Sequence, residues 1–300
     1  MDMTQNKCCR HGASLRRRRR RRRKILRSII FSCSIIAVAV FVAVGSRMIT
    51  SGDGRTNKYD VEAGNNTYDN TVIENSKISE KNKIQNNQSM LDDIMNSTQY
   101  PKQLKDLALK NEEALEFVYD YPAEHVKEHT IDLTEEASMD SVPLFVQWDK
   151  RWGYEKYSGN FFAASGCGPT TLSMVVVYLT HNREASPIAV AKYSKEAGYS
   201  VDGSGSSWTL ISEGCRHYGV KAKTVALDES RMKAELDEGH PIVVNVGPGD
   251  FTDTGHFMVI TGYDDEGFSI NDPNSIEKSG KRWLFRNISS QIRAVWSMYV

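Results

Sequence analysis

The sequence predicts an α+β fold for residues 142–300, with helices in the first part and an antiparallel sheet in the second. Two observations predict this order. Between residues 167 and 238, apolar positions recur at helical spacing and are bounded by capping residues and glycines. From residue 242 onward, short β-branched and aromatic runs alternate with Gly, Pro and Asp. The uneven composition of the 300-residue chain indicates one compact unit, and it lies in this part.

The N-terminal region has the charge pattern of a membrane signal. The formal net charge of the chain is zero, yet residues 1–27 are strongly basic and contain the run Arg16 to Arg23. The uncharged apolar stretch 28–46 follows, and a membrane core takes about 17 to 25 helical residues. Because Lys and Arg stay on the cytoplasmic side, residues 1–27 are predicted to be a cytoplasmic tail and residues 28–46 a single-pass anchor in the cell membrane. The rest would be extracytoplasmic.

Two other interpretations of this region remain. A cleavable signal peptide has the same order of charge and apolar residues, and Ala43-Val44-Gly45 is an acceptable cleavage site, so both interpretations export the later residues. Clustered arginines also bind nucleic acid. The adjacent apolar stretch argues against that, so no nucleic-acid partner is expected.

Residues 47–96 are predicted to be a disordered spacer, because they are too polar to bury a core of their own. Residues 97–141 are predicted to be a helical extension, with a helix that starts near Pro101 and ends at Tyr121-Pro122. A short amphipathic helix gains most of its stability by docking its apolar face, so we expect it to pack on the domain that follows. A free coiled-coil arm is the alternative.

Local signals define the elements of residues 142–300. Helices are predicted at 167–180, 186–195, 207–218 and 228–238, with Ser186 as a cap, Pro187 in the first turn, and Gly219 and Gly239 as stops. Strands are predicted at 242–246, 256–263, 268–271, 283–285 and 295–300.

Cys167 is the candidate nucleophile. It precedes a run that is apolar nearly all round, which indicates a buried helix, and a helix N-terminus can lower a thiol pKa well below about 8.5. Gly166 and Gly168 beside it would let a substrate backbone approach the sulfur. Of the five cysteines, only Cys167 and Cys215 would reach the oxidising side, so a disulfide between them is the alternative. The apolar surroundings of Cys215 favour a small core residue.

His256 is the candidate base, because it follows Gly255 at the start of a predicted strand. If the hairpin turns at residues 264–265, His256 lies opposite residues 272–274, which brings Asp272 beside it. A carboxylate on the second ring nitrogen would fix the histidine tautomer. Asp272 could instead only cap its own turn, and Asn271 is the nearest substitute. The remaining histidines lack such a context, and His181 and His217 are expected to be surface or capping residues.

Gln147 is the candidate oxyanion donor, to act together with the backbone N–H of Cys167. An ordinary polar strand residue is the alternative. The glycine-bearing loops 202–207 and 247–249 lack the Gly-Lys-Ser/Thr of a phosphate loop and are expected to be rims of a substrate cleft. The acids between residues 250 and 272 lack the ligand spacing of a calcium loop, so no metal and no cofactor are expected. Trp148, Trp152, Tyr154 and Trp208 could line the cleft, and packing in the core is the alternative for each of them.

Several motifs together carry a family resemblance. They are Val142 to Asp149, Arg151-Trp152-Gly153-Tyr154, Gly166-Cys167-Gly168-Pro169-Thr170, Gly255-His256-Phe257 and Asn271-Asp272-Pro273. They resemble the C39-like family of papain-fold cysteine peptidases over residues 142–300. The resemblance implies a bacterial, membrane-anchored thiol hydrolase in which Cys167 is nucleophile, His256 base, Asp272 orienting acid and Gln147 oxyanion donor.

The expected function is therefore hydrolysis of peptide or amide bonds outside the cytoplasm, through an acyl-enzyme on Cys167. The partner would be a peptide or protein, including cell-wall peptide. Two alternatives use the same fold. One is a cell-wall amidase, isopeptidase or transglutaminase-type acyl transferase, and the other is an inactive peptide-binding module.

Overall fold

The structure is a computed structural model that describes residues 67–300. Its longer helices and helical turns are α1 (Thr67–Asn96), α2 (Lys102–Lys110), α3 (Leu115–Tyr119), α4 (Tyr121–Glu124), α5 (Thr134–Ser138), α6 (Phe162–Ser165), α7 (Cys167–Thr180), α8 (Pro187–Glu196), α9 (Thr209–Ser212), α10 (Glu229–Asp237), α11 (Ile276–Ser279) and α12 (Phe285–Ile288). Short 3-10 turns lie at Glu112–Ala114, Gly214–Tyr218 and Ser289–Gln291.

A six-stranded antiparallel sheet forms the second half of the domain, with the strand order β5-β10-β6-β7-β8-β9. Its strands are β5 (Lys221–Thr224), β6 (Ile242–Val246), β7 (His256–Asp264), β8 (Gly267–Asn271), β9 (Arg282–Trp283) and β10 (Ile292–Tyr299). Two small hairpins precede it, β1 (Lys156–Tyr157) with β2 (Asn160–Phe161), and β3 (Ser200–Val201) with β4 (Gly205–Ser206). Helices followed by an antiparallel sheet agree with the predicted α+β class.

The main core lies between helix α7 and one face of this sheet. Successive strand residues point to opposite faces. On β7, Phe257 and Val259 therefore pack against the buried helix α7, whereas Met258 and Ile260 belong to a second core on the other face, which Met232 of α10 covers. This packing fixes the start of β7 against the start of α7, where the candidate site lies.

Most predicted elements of the domain are confirmed, and two are wrong in detail. The predicted helix 207–218 is divided into α9 and a 3-10 turn at Glu213, which has φ −126° and ψ −47°. Phe285, predicted to be in a strand, instead starts α12. Strand β5 was not predicted, because Lys221–Thr224 is polar and lies at the edge of the sheet, where charged residues are common.

The extension packs on the domain, as predicted, but its helix is interrupted. Asn111 leaves the helical region, with φ −137° and ψ 100°, and its side chain accepts a hydrogen bond from the backbone of Glu113. A side chain that bonds its own backbone in this way competes with the helix. Pro122 lies in the first turn of α4, where its missing N–H costs no hydrogen bond. The extension shares an apolar core with Phe161 and Ala163 of the domain, which excludes the free coiled-coil arm.

The predicted disordered spacer is wrong for residues 67–96, which form α1. The last turns of α1 place Met90, Leu91 and Ile94 against the core of the extension, and Ile94 is fully buried. Three apolar side chains on one face are enough to anchor this end of an otherwise polar helix. Residues 47–66 of the spacer, the basic tail and the predicted anchor 28–46 lie outside the described residues. Within residues 67–300, no helix is long and apolar enough to cross a membrane.

Candidate active site

Cys167 is the first residue of α7, as predicted, and its side chain is half-buried. The helix behind it is almost completely buried from Gly168 to Val177. The hydroxyl of Thr171, one turn into the helix, donates to the backbone carbonyl of Phe257 at 3.1 Å. This bond ties the first turn of α7 to the start of β7, so the sulfur and the imidazole of His256 are held on adjoining elements.

The two glycines beside Cys167 are closely packed against neighbouring elements, and their predicted role of admitting substrate stays a prediction. A Cβ atom at Gly166 would lie 2.6 Å from the ring of Phe162, and one at Gly168 would lie 2.5 Å from the hydroxyl of Ser206. Both distances are below any real Cβ contact. The glycines are therefore required because α6 and β4 approach the start of α7 closely.

His256 favours the ionised form of Cys167. Burial alone would raise the pKa of the Cys167 thiol. The hydrogen bond and the positive charge of His256, together with backbone hydrogen bonds from Phe257 and Gly168, outweigh burial and lower the pKa of Cys167 from its ordinary value. The sulfur is therefore set to be a thiolate, which is the nucleophilic form.

His256 starts β7, pairs with Val246 of β6 and is 6% exposed. Its Nε2 lies 2.7 Å from Oδ1 of Asp272, which leaves Nδ1 as the ring nitrogen available to Cys167. Burial would lower the pKa of His256. The charge of Asp272, its hydrogen bond and the contact with Cys167 outweigh burial and raise the pKa to about 10. The arrangement therefore favours a protonated imidazole between two acidic partners.

Asp272 follows β8 and is fully buried. The hairpin register pairs Val259 with Asn271, so Asp272 follows across from Met258, and its side chain contacts His256 two residues away, which agrees with the predicted neighbourhood. The same oxygen that meets His256 also accepts the backbone N–H of Asn274 at 2.8 Å. The predicted alternatives for Asp272, a histidine partner and a turn cap, thus both apply. Its other oxygen, Oδ2, has no hydrogen-bond partner within the described part of the chain.

Asn271 does not replace Asp272 beside His256. Its side-chain amide donates to the carbonyls of Val142 and Pro143, at 3.1 and 3.0 Å. These bonds attach the segment that leads to Gln147 onto the end of β8. Asn271 therefore positions the segment 142–147, and of the two neighbouring residues it is Asp272 that contacts the histidine ring.

Gln147 lines the same cleft as Cys167 and His256 and is 5% exposed. Its backbone N–H donates to the carbonyl of Pro273 and its side-chain Nε2 donates to the carbonyl of Ala163, each at 2.7 Å. An amide nitrogen carries two hydrogens, so one donor of Nε2 remains beyond the bond to Ala163. The bond to Ala163 holds the nitrogen end of the carboxamide, whereas its oxygen Oε1 has no hydrogen-bond partner among the described residues.

The cleft around Cys167 has a volume of about 530 Å³. One part of its lining comes from the loop of residues 249–255. Of the two loops that were predicted to form the rim, 247–249 contributes Gly249, and 202–207 contributes no lining residue. Another part comes from the extension, which the sequence did not predict. These extension residues are Gln103, Asp106, Leu107, Lys110 and Asn111. The signal for this wall is absent from the sequence, because it arises only when α2 docks on the domain.

The other predicted candidates lie away from the cleft. Cys215 is fully buried in the main core, where burial raises its thiol pKa to about 11, and both Cys167 and Cys215 are free, so the disulfide alternative is wrong. His181 is the left-handed C-cap of α7, and His217 stacks on Tyr193, in agreement with the predicted surface and capping roles.

The four tryptophan and tyrosine candidates are not among the described residues that line the cleft. Trp152 is a core residue at 1% exposure, and Tyr154 stacks on Phe117 of the extension. Trp148 donates to the carbonyl of Asn274, whereas Trp208 is 47% exposed. The cleft role is therefore wrong for these residues, and the packing alternative applies to Trp148, Trp152 and Tyr154, of which Trp148 and Tyr154 pack against the core of the extension.

Comparison with known proteins identifies the domain. The model of the Peptidase_C39 like family matches residues 139–300, more than half of the chain. The chain is similar to the peptidase domain of Streptococcus ComA, a bi-functional ABC transporter involved in a quorum sensing pathway, with 20% identity, a TM-score of 0.36, and coverage of 45% of this chain and 90% of that chain. It is also similar to a protein described as a C39-like peptidase from Bacillus anthracis, with 16% identity, a TM-score of 0.34, and coverage of 53% and 95%. None of the curated proteins compared matches this chain.

Proposed function

The chain belongs to the Peptidase_C39 like family, and from this premise we propose that residues 142–300 form a cysteine peptidase that hydrolyses peptide bonds through Cys167, His256 and Asp272. The observation that carries the proposal is the position of His256, which interacts with Asp272 through Nε2 and with Cys167 on its other side. A buried histidine held between a carboxylate and a thiol is the arrangement that makes a nucleophile from a cysteine.

In the proposed reaction, the Cys167 thiolate attacks the carbonyl carbon of a peptide bond, and a C–S bond forms. The imidazolium of His256 then gives its proton to the leaving nitrogen as the C–N bond breaks, which leaves an acyl-enzyme. Neutral His256 next takes a proton from water, whose oxygen attacks the acyl carbon and releases the sulfur as thiolate. Atoms and charge balance over the two steps, and no cofactor enters the reaction.

Gln147 has the proposed role of oxyanion donor, together with the backbone N–H of Cys167. Its carboxamide is held by the bond to Ala163, so the second N–H is oriented before substrate arrives. Preorganised donors of this kind stabilise the charge that develops on the carbonyl oxygen. The bond to Ala163 favours this role over an ordinary polar side chain.

An inactive binding module is the less favoured alternative. Such a module would have no need of a thiol with a lowered pKa, yet His256 lowers the pKa of Cys167 against the effect of burial. Hydrolysis and acyl transfer share every step up to the acyl-enzyme. They differ only in whether water or an amine takes the acyl group, so hydrolysis is proposed as the simpler outcome.

The proposed location is outside the cytoplasm, on a single N-terminal membrane anchor. The support is the order of the basic residues 1–27 and the apolar residues 28–46. In this organisation residues 97–141 belong to the catalytic unit as a docked extension, and the substrates are peptides or proteins near the membrane surface, including cell-wall peptides.

The function is tested by incubating the purified chain with a peptide library and identifying products by mass spectrometry. Turnover is expected for the wild type and for Cys215→Ala, which removes the buried thiol, and is expected to vanish in Cys167→Ala. An added amine should not enter the product. Equal turnover in Cys167→Ala would exclude the proposed nucleophile, and incorporation of the amine would indicate acyl transfer.

A further inference from the structure

The extension makes direct polar contacts with the turn that follows Asp272. The carboxylate of Glu113, in the 3-10 turn Glu112–Ala114, accepts the hydroxyl of Ser275. It also accepts the backbone N–H of Ile276 at 2.7 Å and of Glu277 at 3.1 Å. Glu113 therefore holds the first turn of α11 with three charge-assisted hydrogen bonds, which are stronger than neutral ones.

Asn111 adds a second connection to the same turn. Its side-chain Nδ2 donates to the backbone carbonyl of Asn274 at 2.9 Å and lies 3.1 Å from the side-chain oxygen of Asn274. Its Oδ1 accepts the backbone N–H of Glu113 at 3.0 Å. Asn111 and Glu113 are thus linked by a hydrogen bond, and we name this pair the clasp. The clasp lies more than 160 positions before residues 274–277 in the sequence.

The turn held by the clasp determines where Asp272 lies. The backbone N–H of Asn274 donates at 2.8 Å to Oδ1 of Asp272, the oxygen that contacts His256. On the other side, the backbone N–H of Asp272 donates to the hydroxyl of Ser279 in α11 at 2.9 Å. Because Oδ2 has no partner among the described residues, the bond from Asn274 is the polar contact that orients the carboxylate besides His256, while the bond to Ser279 fixes the backbone of Asp272.

We infer that Glu113 is a positioning residue for the catalytic acid. It acts through the turn 274–279 on Asp272, and through Asp272 on the protonation of His256. Glu113 precedes the family match at residues 139–300, so the active domain of this chain includes a residue from the extension. The inference rests on the proposed function, since Glu113 is assigned to position Asp272, a member of the proposed triad.

Docking of the extension does not depend on Glu113 alone. Leu104, Ala114, Phe117 and Val118 pack in the apolar core that joins the extension to Phe161 and Ala163. Removal of the carboxylate should therefore leave the extension in place and loosen only the turn. This separation makes the positioning role testable apart from stability.

The test compares Glu113→Ala and Glu113→Gln with the control Glu116→Ala in the full-length chain. Glu116 is an exposed acid of the same extension, and no hydrogen bond joins it to the turn within the described residues. Three quantities are measured for each variant: kcat and KM for peptide cleavage, the pH midpoint of Cys167 alkylation, and the melting temperature.

The expected result for Glu113→Ala is a loss in kcat of about 10-fold to 100-fold with little change in KM, because small misplacements of a catalytic group have effects of this size. The alkylation midpoint of Cys167 should move to higher pH, because a loosened Asp272 stabilises the protonated His256 less well. Glu113→Gln retains an acceptor oxygen and should give an intermediate shift. Glu116→Ala should behave as the wild type.

A melting temperature that falls without any shift of the alkylation midpoint would overturn the inference, because a merely structural role lowers stability alone. If Glu113→Ala does not fold, the same criterion applies to Glu113→Gln. Failure of the proposed function is seen differently, as no Cys167-dependent turnover in the wild type. In that case the alkylation midpoints of the variants still decide the role of Glu113.

Discussion

Nε2 of His256 lies 2.7 Å from Oδ1 of Asp272, and the two residues sit at the open ends of the hairpin formed by β7 and β8. The turn of that hairpin is at residues 264–267, so the contact depends on register along the whole length of both strands. A slip of one residue would point Asp272 to the other face of the sheet. The geometry of the proposed triad is therefore a consequence of sheet pairing.

Removing the charge of Asp272 should impair catalysis while the fold is retained. Asp272→Asn is expected to lower kcat by about 10² to 10⁴-fold, since an amide in place of the orienting acid favours the wrong histidine tautomer. Asp265→Asn makes the same chemical change at the turn of the same hairpin and should have no effect. Steady-state kinetics of both variants check this, and equal activity of Asp272→Asn and wild type would remove Asp272 from the mechanism.

The pH dependence of activity follows from the two coupled groups. Cleavage should increase as pH rises through the lowered pKa of Cys167, where the thiolate forms, and should decrease as pH passes about 10, where His256 loses its proton. The charge of Asp272 is the largest effect that raises the pKa of His256. In Asp272→Asn the decline at high pH should therefore move to lower pH. A profile of kcat/KM against pH measures both limbs, and an unmoved basic limb in the variant contradicts this assignment.

Gln147 should stabilise the transition state more strongly than it stabilises bound substrate. Gln147→Ala is expected to lower kcat by about 10² to 10³-fold, the usual effect of losing one oxyanion donor, with little change in KM. The matched control is Gln99→Ala, which removes an exposed amide of the extension outside the cleft and should leave kcat and KM unchanged. A change in KM alone for Gln147→Ala would show that Gln147 only binds substrate.

Gly168 is expected to be needed for packing and not for access of substrate. Gly168→Ala should destabilise the chain by about 1 to 3 kcal/mol, because the added methyl meets Ser206 at the start of α7. The second change Ser206→Gly removes the opposing atoms and should restore part of the stability. Denaturant unfolding of the single and double variants measures this. A stable but inactive Gly168→Ala would instead favour the access role.

The parts of the fold with local signals were predictable from sequence. Helix α7 begins at Cys167 and α8 at Pro187, as predicted, and the side chain of Ser186 caps α8 through the backbone N–H of Ala189. The approach of Asp272 to His256 was also predicted from the hairpin, although the register shift between Ile260 and Gly262 was not, and the contact is made by the side chain across an offset of two residues. Capping residues and hairpin turns are properties of neighbouring residues, and the sequence contains them directly.

Contacts between distant segments were not predictable. Helix α1 needed only Met90, Leu91 and Ile94 to dock, which is too few apolar residues to be recognised in a polar stretch. The bonds of Asn111 and Glu113 to the turn after Asp272 join residues far apart in the chain, and neither side chain has a local signal for that role. The packing role of Gly166 and Gly168 was not predicted, because Phe162 and Ser206 approach them only in the folded chain.

The most direct test of the central claim is the rate of Cys167 alkylation as a function of pH, in the wild type and in His256→Ala, with the labelled peptide identified by mass spectrometry. The account predicts a wild-type midpoint below the ordinary thiol value of about 8.5 and a higher midpoint in the variant, because His256 makes the largest contribution that lowers the pKa of Cys167. Identical midpoints in the two proteins, at about 8.5 or above, would contradict it.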